Sequence, residues 1–467
     1  MAVPSLAERG RRGATWAHSG PGVGPLAMLG VILASPAGMA MMLDGSGYDT
    51  WGAFIWGPVL LLLTLPLCRW VASRTNEPEI AGFLFGAAAL KIIVGSTLRY
   101  YMVDAVYGAG DSVGYDNAAA ELVGPFRQGV FENLGKVTGT RFLEIVNGIV
   151  QAMIGQTMVG SFLVFSALAF VGLCFLYLAF CEALPDGDRT LYRRLLFLTP
   201  TLWFWPSSVG KEAFLMLCIG AMAYGFARLL NGRFMGVIFA GLGLWGAAVV
   251  RPHIALMFLV GAVVALPPPL AGGPARANAL PRSARTSFAR FMLPLLVLVA
   301  LPSSLGAAET FFHIEGLNLE SATEVRDEVV RRTSSGGSEF VAPDTSNPLG
   351  LAAGLVTVVV RPFPWEATEF QVLSSAEGVV LSVVVIAALW RRRGRILRSL
   401  GQRWPRLAGA YVLAFAWGFS AVSNFGILAR QRSLMLPMLF VIVAAVRRPA
   451  AAGRDRALAP QPSTRTT

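Results

Sequence analysis

The sequence predicts an all-α fold, a polytopic transmembrane helical bundle of about 12 spans, between roughly 11 and 13. Three observations carry this expectation. Hydrophobic residues make up 55% of the 467-residue chain and charged ones 14%, where a soluble domain carries about 25% charge. Mean hydropathy is +0.59. Apolar runs close to the roughly 20 residues that a bilayer requires recur along most of the chain.

The runs fall near 25–43, 52–71, 80–103, 157–181, 193–207 and 211–230, then near 234–250, 253–269, 288–307, 372–390, 407–425 and 432–446. Together they make a single transmembrane domain over 23–448. Residues 1–22 and 449–467 are polar and are expected to be disordered cytoplasmic ends. No small-residue cleavage site follows the first run, which therefore reads as an uncleaved helix. The cysteines Cys68, Cys174, Cys181 and Cys218 all lie within apolar stretches, without metal-ligand spacing, and read as packing residues.

Arginine sets the topology, because short cytoplasmic loops carry excess Lys and Arg. Placing the N-terminus inside puts Arg69 and Arg74, Arg189 to Arg194, Arg228 and Arg233, the 270–290 loop and the run Arg391 to Arg398 on the same side. This arrangement holds roughly 26 of the 39 basic residues inside. The net charge of +12 is then a consequence of topology, and nucleic-acid binding is excluded. Both termini are expected in the cytoplasm. The Arg, Ala, Gly and Val bias points to a GC-rich bacterial genome, hence a bacterial plasma membrane.

The long connections, 104–156 and 308–371, fall outside, and loops carry function more often than scaffold does. The first contains Gly110-Asp111-Ser112-Val113-Gly114-Tyr115-Asp116. A surface helix is expected there, with Asp111 either capping it or held at the interface as a carboxylate able to take a proton. Trp203-Phe204-Trp205 reads as an interfacial belt. Lys211 opens a span, where the macrodipole disfavours a cation, so it either snorkels or faces a bound anion. Arg430 and Arg432 raise the same question at the start of the last span. Arg251-Pro252-His253 joins two spans, Arg251 at a helix end that favours a cation. Lys91 and Arg99 sit in one span, and a midplane charge is costly enough to be functional or paired.

Leu349 to Val360 is apolar but too short to cross a bilayer, so a re-entrant or interfacial segment is expected near 349–366, ended by Arg361-Pro362-Phe363-Pro364-Trp365-Glu366. Residues 318–348 suggest a short charged surface helix and a flexible flap. The sequence has no Walker loop, zinc motif, dinucleotide fingerprint or internal repeat.

An Asp with a Tyr four residues on in a long first outer loop, many spans, and a late Arg-x-Arg-x-x-x-x-Pro resemble membrane glycosyltransferases of the GT-C type and the related bacterial polysaccharide polymerases. The matching residues are Asp111, Ser112 and Tyr115, then Arg430, Arg432 and Pro437. The resemblance implies transfer of a sugar from a polyprenyl-phosphate donor to a cell-envelope glycan or lipid acceptor at the outer face. It implies Asp111, with Asp116, as the catalytic carboxylates. Lys211, Arg251, Arg361, Arg430 and Arg432 would bind the donor phosphate, and Tyr115, Glu212, His253 and Glu366 the rest of the substrate. The sequence departs from the family in having no C-terminal soluble domain and no second acid directly after Asp111. A divalent metal is compatible with the resemblance, and no ligand set is assigned to one. Two other readings stay open: a polymerase or ligase of lipid-linked repeats, and a transporter, which Lys91 alone favours.

Overall fold

The computed structural model describes residues 48–103, 110–266, 284–312, 319–334, 338–345, 347–368 and 371–445. The first expected span, both termini, Ser335 to Gly337 and most of the 270–290 loop lie outside them. Apart from one isolated bridge, the described residues are helical or irregular.

Six helices are long and apolar enough to cross a membrane: Trp51–Thr75, Ile80–Tyr101, Met158–Ala183, Lys211–Leu230, Gln371–Ala388 and Phe425–Ala444. Four apolar helices are shorter: Gly236–Val250, Pro252–Ala265, Pro294–Glu309 and Leu349–Val360. Among the described residues six helices therefore meet the length and composition of a span, against the about 12 expected from the whole sequence. The 193–207 run fails for a local reason. Pro200 has no N–H and disfavours helical backbone at Thr199, so the chain forms two short helices, Arg189–Leu198 and Pro200–Phe204.

In chain order the elements are α1 (Tyr48–Thr75), α2 (Ile80–Tyr101), α3 (Asp111–Arg127), α4 (Thr140–Ile154), α5 (Met158–Ala183), α6 (Arg189–Leu198), α7 (Pro200–Phe204), α8 (Lys211–Leu230), α9 (Gly236–Val250), α10 (Pro252–Ala265), α11 (Ala284–Phe312), α12 (Leu319–Thr333), α13 (Pro348–Val360), α14 (Gln371–Ser399), α15 (Arg403–Phe419) and α16 (Phe425–Ala444). Helix α8 is largely buried, packing on α5, α9 and α16. It meets α5 at glycine: a Cβ on Gly220 would collide with the Gly172 carbonyl. Small residues let membrane helices approach closely enough for dispersion contacts to hold them. Outward-facing Ile55, Leu62 and Leu63 on α1, Leu242 and Trp245 on α9, and Val380, Val383 and Ile386 on α14 form exposed apolar belts, the surface that hydrocarbon covers in a multi-pass protein.

The first outer loop holds two helices instead of one. Helix α3 buries Ser112, Tyr115, Ala119, Val123 and Phe126, a helical stripe, against α4. The second loop contains the expected charged helix as α12. The segment after it is docked: Phe340 N donates to Ser423 O at 2.9 Å, Phe425 N donates to Ser338 O at 3.0 Å, and Phe340 stacks on Phe425. This part of the expected flap is thus pinned to the start of α16. The apolar stretch expected to be re-entrant is the short helix α13, and residues after it run Arg361 to Trp365 without regular structure.

Candidate functional site

Three helix beginnings meet in one place. Helix α3 starts at Asp111 and α8 at Lys211, while the α9–α10 turn supplies Arg251 and α16 supplies Arg430. A pocket there is lined by Arg99, Asp111, Ser112, Tyr115, Ser208, Val209, Gly210, Lys211, Glu212, Arg251 and Arg430. Its empty volume is about 330 Å³, part of it open to solvent.

Glu212 organises the centre. It is buried in the first turn of α8, where the macrodipole favours an acid. Its Oε1 accepts from Gln431 Nε2 at 2.7 Å and pairs with Arg251 NH2 and Arg430 Nε, both at 3.3 Å. Arg251 also donates to the Gln431 side-chain oxygen. Arg430 NH1 reaches outward to Asp111 Oδ2 at 2.9 Å. Asp111 makes no side-chain cap bond to its own helix, whose N-cap is Gly110. Its carboxylate faces Arg430 instead, which settles the capping alternative against a cap. Neighbouring Ser112 Oγ donates to Val209 O at 2.9 Å, tying α3 to the loop before α8. Lys211 is half-buried on the pocket wall and makes no hydrogen bond or salt bridge among the described residues. Burial, then the Asp111 and Glu212 charges, push the Tyr115 phenol up to about 12, so it stays protonated and can only donate or accept hydrogen bonds.

Four cations face two carboxylates across the pocket, a formal excess of two positive charges. Arg99 had been singled out only for its charge within a span. It lies beside the aromatic group, its guanidinium 5.3 Å from the Phe204 ring and 4.9 Å from the Trp205 ring. Those rings hold a site cation, where a membrane belt had been expected.

Lys91 lies beneath the pocket in a π-helical turn, Leu90–Gly95, within α2. It is 1% exposed and donates to Leu202 O at 3.1 Å, Pro206 O at 2.9 Å and Ser207 Oγ at 3.1 Å. Ser166 Oγ donates to the Lys91 carbonyl at 3.0 Å. A Cβ on Gly95 would collide with Trp203 O, so glycine lets the 203–207 segment rest on this turn. Lys91 therefore anchors the loop that delivers Ser208, Val209 and Gly210 to the pocket.

The remaining sequence candidates lie elsewhere. Asp116 accepts from Gln151 Nε2 at 2.6 Å, on the α3–α4 seam. Arg361 holds Glu366 with two bonds, Nε to Oε2 at 3.1 Å and NH2 to Oε1 at 2.9 Å, and its guanidinium lies 4.3 Å from the Phe340 ring. Arg361 NH1 also donates to Val341 O at 3.0 Å, so the pair fixes its own turn against the 338–345 segment. Arg432 is fully buried and donates through NH1 to Val359 O at 2.8 Å, at the carbonyl end of α13. His253 packs near Phe419 and does not line the pocket. The dipole argument applied to Arg430 and Arg432 is also corrected. Helix α16 begins at Phe425, with Asn424 Oδ1 accepting from Ile427 N at 3.1 Å, so both arginines lie beyond the first turn, where the dipole effect has faded. Residues two apart on a helix do not face the same way, which explains why Arg430 enters the pocket and Arg432 leaves it. For Gln431 and the 208–210 backbone no sequence signal existed.

Among the described residues no cluster of His, Cys, Asp or Glu could hold a metal ion. The fold and site define a multi-pass helical membrane protein with a cationic pocket assembled from helix starts. Comparison with protein-family models, curated proteins and solved structures finds no match.

Proposed function

We propose that the protein is a membrane glycosyltransferase that moves a sugar from a polyprenyl-phosphate-linked donor to a cell-envelope glycan or lipid acceptor. The single observation supporting this is the convergence of Asp111 with Lys211, Arg251 and Arg430 around one pocket, from positions up to 319 residues apart. In the proposed orientation both termini are cytoplasmic, the pocket opens at the outer face of a bacterial plasma membrane, and the lipid tail enters sideways from the bilayer.

The chemistry follows from charge. The acceptor hydroxyl attacks the anomeric carbon of the donor sugar, its proton passes to Asp111, and the bond from that carbon to the phosphate oxygen breaks. A phosphodiester carrying one negative charge becomes a phosphomonoester approaching two. The excess of two positive charges therefore matches the leaving phosphate better than the bound donor. A site that interacts more strongly as charge develops lowers the barrier. Arginine suits the role because its planar fork meets two phosphate oxygens at once. Polymerisation or ligation of lipid-linked repeats would use the same groups and yield a ladder of chain lengths. Lys91, which favoured a transporter, spends its three protons on loop acceptors.

The test is Asp111→Asn in purified full-length protein supplied with polyprenyl-phosphate sugar. Transfer should be abolished while membrane insertion is unchanged, and Asp116→Asn should keep turnover within about tenfold of wild type, the lower range of general-base effects being about 100-fold. Wild-type turnover in Asp111→Asn would remove Asp111 as the base.

A further inference from the structure

Arg430 occupies Oδ2 of the Asp111 carboxylate, one of the two oxygens that could take the acceptor's proton. The two carboxylates on Arg430 are not equivalent. Glu212 has a side chain 6% exposed and is shared with Arg251 and Gln431. The Asp111 side chain is 62% exposed and, among the described residues, is bonded to Arg430 only. Solvent screens such an outer pair, so it is the weaker contact. The Asp111–Arg430 pair lines the same pocket as Lys211 and Arg251.

We propose that Arg430 is a latch that exchanges partners: it pairs with Asp111 and, on donor binding, transfers its outer N–H donors to the donor phosphate, releasing Asp111 as the base. The proposal rests on the lipid-phosphate reading above. Glu212 stays in ion-pair contact with the inner edge of the guanidinium, 3.3 Å from Nε, so the exchange is proposed as a side-chain shift. No bond forms or breaks in this step. The consequence is an order of events: the base becomes available only once the leaving phosphate is seated, which guards the site against acting without its donor.

The experiment is equilibrium binding of geranyl phosphate to the full chain in nanodiscs, with inorganic phosphate titrated in parallel. Wild type binds, and Lys211→Met weakens binding. Asp111→Asn binds up to about fivefold tighter, because the phosphate no longer competes for Arg430. In an Arg430→Gln chain, adding Asp111→Asn gives no further gain, the signature of direct coupling in a double-mutant cycle. If Arg430→Gln fails to fold, Arg430→Lys serves, since one amine cannot fork between two partners. Weaker or unchanged binding by Asp111→Asn overturns the latch, as does an equal gain in the Arg430→Gln background, which would report only removal of a negative charge. Equal affinity for inorganic phosphate overturns the lipid source and leaves the latch to the cycle. Absence of binding in every variant overturns the lipid-phosphate reading and the latch with it.

Discussion

Glu212→Gln isolates the interaction on which the pocket depends. The substitution keeps the shape and one acceptor oxygen but removes the negative charge between two guanidinium groups. Arg251 and Arg430 both lie 3.3 Å from Glu212 Oε1, and the Glu212 side chain is 6% exposed. Removing one partner of a buried pair costs about 3–5 kcal/mol, because it leaves charge buried without compensation. Gln431 and Asp111 still hold one arginine each, so the lower end, about 3 kcal/mol, is expected. Asp111→Asn breaks only the exposed arm and should cost about 1 kcal/mol or less. Thermal unfolding can be followed with a thiol-reactive dye, since Cys68, Cys174 and Cys218 are free and buried and react only once the bundle opens. At about 2 °C per kcal/mol for a chain of about 250 residues and less for a longer one, Glu212→Gln should lower the midpoint by up to about 6 °C. The comparison is made at one scan rate because such unfolding is often irreversible. A midpoint equal to that of Asp111→Asn would refute the view that Glu212 is the structural centre of the site.

Three other predictions follow from the same geometry. Lys91→Met strands Leu202 O and Pro206 O, while Ser207 Oγ keeps Trp203 O and Ser166 Oγ; at about 1–3 kcal/mol per buried unsatisfied group, it should destabilise by about 3 kcal/mol and weaken geranyl phosphate binding, which the dye assay and a titration would read separately. Gly220→Ala places a methyl against the Gly172 carbonyl and should cost about 1–3 kcal/mol as overpacking; an unshifted unfolding midpoint would mean that α5 and α8 can separate freely. Arg361→Gln removes both bonds to Glu366 and should lower stability while leaving geranyl phosphate affinity unchanged. A fall of tenfold or more would return Arg361 to the phosphate site.

Much of the helical character was legible from composition and local pattern. Among the described residues the apolar runs, the surface helix beginning near Asp111 and the short stretch before Arg361 appear as helices, because burial stripes and proline breaks are local properties of a chain. Asn424 was a readable N-cap signal, and it would have moved Arg430 out of the first turn. Pro200 was a readable stop within the 193–207 run. The site was only partly legible. Asp111, Lys211, Glu212, Arg251 and Arg430 could be singled out, since charge at the edge of an apolar run is conspicuous. Which of those charges share a pocket was not encoded in any window of the sequence. Arg361, Arg430 and Arg432 look alike along the chain, yet one holds Glu366, one holds Asp111 and one caps α13. Tertiary packing made that distinction, because an arginine takes the partner that the meeting of helix ends leaves within its reach, and that meeting is set by how the helices pack.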